Sequence, residues 1–109
     1  MNIFQKMKYR RLKKRVQREG IPLCGRVEQI NTSHAVPLVY ARDHGLPKMV
    51  PHIIVSYRTP DGKDQILSLH TPDVAEFEPV GRDIPLRYLN DNGRDIAFPA
   101  YMFREEEDT

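Results

Sequence analysis

The spacing of apolar residues changes once along this chain, from a helical period to a strict alternation near residue 23. Residues 3–18 are good helix formers without glycine or proline, and Gly20 and Pro22 follow as stop signals. We therefore predict an amphipathic helix over 3–18. Its apolar stripe, at i, i+3 and i+7, consists of Tyr9, Leu12 and Val16.

After residue 23 the alternation of apolar and polar positions is typical of half-buried strands. It predicts five short strands, at residues 24–30, 52–58, 65–70, 84–88 and 96–101. A polar, proline-containing segment, 31–50, separates the first two strands, and we predict a long loop there with a short strand at 37–41.

Two sequence patterns predict turns between neighbouring strands. Asp61-Gly62 lies between the second and third strands, and Gly93 ends a polar turn between the fourth and fifth. Glycine adopts the positive φ that tight hairpins require, so we predict two hairpins. Pro85 interrupts the fourth strand and cannot donate a ladder hydrogen bond, which predicts an edge position for that strand.

Five short strands bury enough surface only if the sheet curls on itself or is covered. The sequence therefore predicts a mainly β fold, a small five-stranded antiparallel barrel-like domain with an N-terminal α-helix. We divide the chain into a basic helical arm (1–20), the barrel (21–103) and an acidic tail (104–109). Alternation predicts a core of Val27, Ile53, Val55, Tyr57, Leu67, Leu69, Ile84, Leu86 and Tyr88.

Charge is strongly segregated along the 109 residues. Residues 1–27 contain nine of the seventeen basic residues and one acid, a balance of +8, while the remainder carries eight bases and fourteen acids, a balance of −6. An arm this basic predicts contact with an anionic partner. The predicted anionic-surface-binding residues are Lys6, Lys8, Arg10, Arg11, Lys13, Lys14, Arg15 and Arg18.

Three partners fit this arm. An anionic membrane surface or an acidic protein is the leading interpretation, with Ile3, Phe4 and Met7 available for insertion into lipid. Nucleic-acid binding by the arm and barrel together is the alternative. The arm can instead dock on the acidic body of its own chain, and the apolar stripe favours this because such a stripe needs cover.

Enzymatic chemistry has little support in the sequence. The four histidines and Cys24 match no metal-ligand spacing, and the glycines form no phosphate-binding loop. Ser68 and His70 share a strand face, which leaves a small hydrolase as a remote alternative. We therefore predict a non-enzymatic binding or accessory module with no catalytic residues, no metal and no cofactor.

The order of the motifs resembles a family of uncharacterised small bacterial β-domains that are often found next to transmembrane helices. The resemblance covers about residues 20–101 and implies a small β fold but no activity. Arg82 stands where the family pattern has an acid. The matching positions are Gly25, Val27, Val55, Tyr57, Asp61, Gly62, Val80, Gly81, Ile84, Leu86 and Tyr88.

Targeting signals are not evident in the sequence. The first residues are basic where a secretory signal is apolar, and no window approaches the roughly 20 apolar residues of a membrane span. The single cysteine fits a reducing compartment. We expect a cytoplasmic protein that can lie on a membrane surface.

Overall fold

A computed structural model describes residues 3–31 and 50–104, and the side chains of the first helix from residue 7 onward. The elements are α1 (Ile3–Glu19), β1 (Ile21–Asn31), β2 (His52–Arg58), β3 (Asp64–His70), a 3₁₀ helix (Val74–Glu76), β4 (Asp83–Asp91), β5 (Arg94–Pro99) and a second 3₁₀ helix (Ala100–Phe103). The strand predicted at 37–41 and the tail beyond residue 104 lie outside the described residues.

The five strands form one antiparallel sheet in the order β3-β2-β1-β4-β5, which curls into a nearly closed barrel. The predicted mainly β, barrel-like fold with an N-terminal helix is confirmed. The long β1 lies in the middle: its first half pairs with β4 and its second half with β2, with a bulge between Val27 and Gln29.

The edge position predicted for the fourth strand is wrong, because β4 lies between β1 and β5. The proline is tolerated for a local reason. Pairing between β4 and β5 begins only at Leu86, so Pro85 lies in the part of β4 that has β1 alone as its neighbour. The constraint on proline acts on individual residues rather than on whole strands.

Both predicted hairpins are confirmed. Residues 58 and 64 pair at the end of the β2–β3 hairpin, where Gly62 has a φ of 89°. In the β4–β5 hairpin, Asn92 and Gly93 have φ values of 53° and 90°, the two positive values that a two-residue turn of this hand needs.

Side chains rather than backbone ladders bring the two outer strands together. Gln65 on β3 donates its amide hydrogen to Asp95 on β5 over 2.7 Å. The same carboxylate accepts hydrogen bonds from the Tyr88 hydroxyl and the Asn90 amide. These bonds, that from Tyr88 first, hold the pKa of Asp95 below its ordinary value. Ionised Asp95 therefore links β3 to β5 across the gap in the barrel.

The barrel interior is filled largely as alternation predicts. Seven of the nine predicted core residues are buried, and Leu67 and Leu69 are half-buried against them because β3 is an outer strand. Phe77 is also fully buried in this core, although it lies beyond the first 3₁₀ helix, where no alternation marks it.

A second, smaller core lies outside the barrel wall, between α1 and β5. It consists of Val16, Phe98 and Phe103, with Leu12, Leu89, Ile96 and Met102 packed at its margin. Consecutive residues of β5 are therefore buried on opposite faces, Ala97 in the barrel and Phe98 under the helix. Sequence alternation does not reveal a strand that is covered on both faces.

Several predicted strand boundaries need correction: β3 begins at Asp64, β4 covers Asp83–Asp91 rather than 84–88, and β5 begins at Arg94 rather than 96. The first strand begins at Ile21 rather than residue 24, because 21–24 pair with β4 in spite of Pro22. The last strand ends at Pro99, and Ala100 and Tyr101 belong to the second 3₁₀ helix. That helix turns Phe103 into the second core, where it is fully buried.

Candidate anion-binding surface

The basic helix is docked on the barrel through the apolar stripe that the sequence predicts. Val16 is fully buried, Leu12 is half-buried beside it, and the Tyr9 ring meets Phe98 edge-on with ring centroids 5.7 Å apart. The contact with the body of the chain is thus mainly apolar. An ion pair between Arg15 and Asp91, 2.8 Å long, adds to it.

The end of the helix is fixed to β4 by a close backbone approach. Arg87 on β4 donates to the carbonyl oxygens of Gln17 and Gly20 over 2.8 and 2.9 Å, and so caps the carboxyl end of α1. A Cβ at Gly20 would lie far inside contact distance of the Val16 carbonyl oxygen and 3.0 Å from that of Tyr88. Only glycine fits here without a shift of the backbone.

The basic side chains lie on different faces of the helix, and docking gives each face different surroundings. Lys13 lies above the Phe103 ring, with Nζ 5.7 Å from the ring centroid. A solvent-facing row at i, i+4 and i+8, which we call the outer stripe, is exposed and consists of Arg10, Lys14 and Arg18. The side chain of Lys6 lies outside the described residues, so its predicted role stays a prediction.

The remaining basic side chains of the helix face the β4–β5 hairpin. Lys8, Arg11 and Arg15 line one wall of an open groove of about 340 Å³, and Asp91 and Arg94 of the hairpin line the other. We call this the groove. Arg94 was not among the predicted binding residues, because it follows a turn in the acidic part of the chain and only the docking of α1 brings it beside the arm.

The positive charge in the groove is only partly compensated. Arg15 pairs with Asp91 and, over 3.2 Å, with Glu19; these hydrogen bonds, that with Asp91 first, raise its pKa above the ordinary value. Within 3–31 and 50–104, Lys8, Arg11 and Arg94 have no ion-pair partner. The groove therefore carries four cationic side chains against one carboxylate in its lining.

A second, smaller cavity of about 80 Å³ lies below the first 3₁₀ helix and also contains arginines. Arg104 pairs with the Glu76 carboxylate over 2.9 Å, and Arg82 donates to the carbonyl oxygen of Glu78 over 3.0 Å. Burial raises the pKa of Tyr101, in the same wall, to about 12, so its hydroxyl stays neutral. These cations are engaged by the chain itself.

The serine–histidine candidate has a different arrangement from the one predicted. The Ser68 hydroxyl is 2.6 Å from Nε2 of His52 on the neighbouring strand, rather than bonded to His70. His70 stacks on the His52 ring with centroids 4.4 Å apart. All three lie on the outer face of the β2–β3 hairpin. Ser33, His34 and His44 lie outside the described residues.

The tyrosine and phenylalanine side chains of the described strands are buried. Tyr57, Phe77 and Tyr88 are buried in the barrel core, and Phe98 and Phe103 lie under the helix. Base stacking by a single-strand-binding barrel needs exposed rings on one face. The described strands present no such set of rings.

No helix in the described ranges is both long enough and apolar enough to span a bilayer. Comparison of the chain with protein-family models, with curated proteins and with solved structures finds no match. The resemblance to small bacterial β-domains therefore stays a prediction.

Proposed function

We propose that this protein is a non-enzymatic binding module that contacts an anionic membrane surface through the outer stripe of α1. The observation that carries the proposal is the orientation of the docked helix. Its apolar stripe is used against the barrel, and the opposite side presents Arg10, Lys14 and Arg18 to solvent. Barrel and stripe thus lie on opposite sides of one rigidly held helix.

The dimensions of the outer stripe suit a flat polyanion. Its three residues span eight positions, or about 12 Å at the α-helical rise. Met7 is 44% exposed and lies one turn before Arg10, where it can enter the headgroup region beside the cations. Each basic residue close to an anionic bilayer contributes about 1 kcal/mol, so the stripe contributes about 3 kcal/mol.

Deleting the helix would be a poor test, because it would uncover Phe98 and Phe103. Charge substitutions leave the second core covered. We expect the full chain to co-sediment with vesicles of phosphatidylcholine and phosphatidylserine, and not with phosphatidylcholine alone. Changing Arg10, Lys14 and Arg18 together to Gln should weaken this binding about a hundredfold at low salt.

The matched control carries the same loss of charge on the barrel. Changing Arg26, Arg58 and Lys63 to Gln, all exposed in the structure, should leave vesicle binding within a few-fold of that of the parent chain. An equal loss in both triple variants would mean that net charge alone drives binding, and would contradict a role for the stripe.

The same preparations distinguish the alternatives. Tighter binding to a single-stranded oligonucleotide than to the anionic vesicles, at one salt concentration, would replace the membrane proposal by nucleic-acid binding. Absence of binding to both at low salt would leave an acidic protein as the partner of the arm and overturn the membrane proposal.

A further inference from the structure

The groove between α1 and the β4–β5 hairpin differs from the outer stripe in being concave and built from two elements. Its cationic lining residues are Lys8, Arg11 and Arg15 from the helix and Arg94 from the hairpin. A convex row of exposed cations meets an extended surface, whereas a concave set can surround a single compact anion from two sides.

The two walls of the groove are held in fixed positions before any ligand arrives. On one side, burial of Val16 against Phe98 fixes the rotation of the helix. On the other side, the Gly93 N–H donates to Oδ1 of Asn90 over 3.0 Å and closes the hairpin turn, in which Arg94 is the cross-strand partner of Asp91. A site formed by rigid elements loses less conformational entropy when a ligand binds.

Electrostatic repulsion within the groove is relieved at one residue only. The Asp91 carboxylate pairs with Arg15. The guanidinium groups of Arg11 and Arg94 and the ammonium group of Lys8 have no acidic partner in the described ranges. Lys8 and Arg11 are three positions apart on one helix face, a spacing at which like charges destabilise a helix. A bound anion would neutralise both walls together.

From this arrangement we infer that the groove is a binding site for a phosphate group with two or more negative charges, such as a phosphomonoester or a pyrophosphate. Arginine forms paired, charge-assisted hydrogen bonds with phosphate oxygens, and lysine adds a point charge. Arg11 and Arg94 bind the anion from opposite walls of the groove, and Lys8 contacts it at one end. The inference rests on the proposed function in treating α1 as the anion-binding element, and extends it to a defined ligand chemistry.

The direct test is a calorimetric titration of the full chain with inorganic pyrophosphate at low salt. Arg94→Gln and Arg11→Gln should each raise the dissociation constant about tenfold or more, because each removes a charge-assisted hydrogen bond. Arg26→Gln, at an exposed position on the barrel, loses the same charge and should change the constant by less than about twofold. Unchanged thermal unfolding of each variant shows that it is folded.

Vesicles distinguish a lipid headgroup from a free phosphate compound as the source of the ligand. Phosphatidic acid offers a phosphomonoester, while phosphatidylserine offers a single net charge. At matched surface charge, a lipid source predicts tighter binding to phosphatidic acid vesicles, and Arg94→Gln should abolish this preference but retain binding to phosphatidylserine. A soluble source predicts pyrophosphate binding with no preference between the two lipids.

The outcomes separate this inference from the proposed function. Binding to anionic vesicles without measurable pyrophosphate binding, or equal losses for Arg94→Gln and Arg26→Gln, would overturn the groove as a site and leave the membrane proposal standing. Pyrophosphate binding that Arg94→Gln weakens, without binding to any vesicle, would support the groove and overturn the membrane proposal.

Discussion

Docking of the basic helix on the barrel makes Val16 a determinant of stability, and Val16→Ala tests this. The substitution removes two methyl groups from a fully buried side chain, which costs about 1.6 kcal/mol of transfer free energy. Incomplete collapse of the space left against Phe98 and Phe103 raises the cost to about 2.5 kcal/mol. The higher helix propensity of alanine returns about 0.5 kcal/mol. We therefore expect a net loss of about 2 kcal/mol.

The measurement is urea unfolding of the full chain, followed by circular dichroism, with Met7→Ala as the matched control on the same helix. Met7 is 44% exposed and has a helix propensity close to that of alanine, so its truncation should cost less than about 0.5 kcal/mol. Limited trypsin digestion adds a local readout, because lysine and arginine are frequent in α1 and cleavage there requires the helix to open.

One result would refute the docking argument. If Val16→Ala and Met7→Ala destabilise the protein equally and leave the digestion rate of α1 unchanged, the helix contributes nothing to the folded body. A loss confined to Val16→Ala, with faster cleavage within α1, is the expected result.

Three further outcomes are expected from the barrel and its junction with the helix. Leu86→Ala should lower the free energy of unfolding by about 2–5 kcal/mol, whereas Ile66→Ala, at a 68% exposed position, should change it by less than about 0.5 kcal/mol in the same urea assay. Gly20→Ala should cost about 1–3 kcal/mol in thermal unfolding, since its methyl group would collide with a carbonyl oxygen of the last helical turn. The pKa of Asp95 is lower in the folded state than in the unfolded state, so its carboxylate stabilises the folded protein fully above the unfolded-state pKa of about 3.9. This stabilisation is lost as the pH falls through the lower pKa of the folded state. Asp95→Asn should remove this part of the pH dependence of urea unfolding.

Structural features that depend on residues close together in the chain were predicted well from the sequence. The hairpin turns at Gly62 and Gly93 follow from local backbone preferences, and the core positions of the strands follow from alternation. The stripe of Tyr9, Leu12 and Val16 also indicated a face in need of cover, which β5 and the second 3₁₀ helix supply.

Features that arise from long-range packing could not be predicted in this way. Alternation does not mark Phe98, because β5 is covered on both faces, and nothing local marks Phe103. Arg94 becomes a wall of the groove only because α1 crosses the β4–β5 hairpin. The order of strands around β1 likewise decides whether Pro85 has one neighbour or two, and no short-range pattern contains that order.

The packing of Val16 on Phe103 also has a consequence for synthesis on the ribosome. Eighty-seven positions separate the two residues, so at about 5–20 residues per second the stripe of α1 waits roughly 4–17 s for its partner to be made. Throughout that interval the nascent chain displays a basic helix whose apolar side is also uncovered. Chaperones that bind apolar segments can reach the apolar stripe only until the second core closes, whereas the outer stripe is exposed to phosphates both before and after closure.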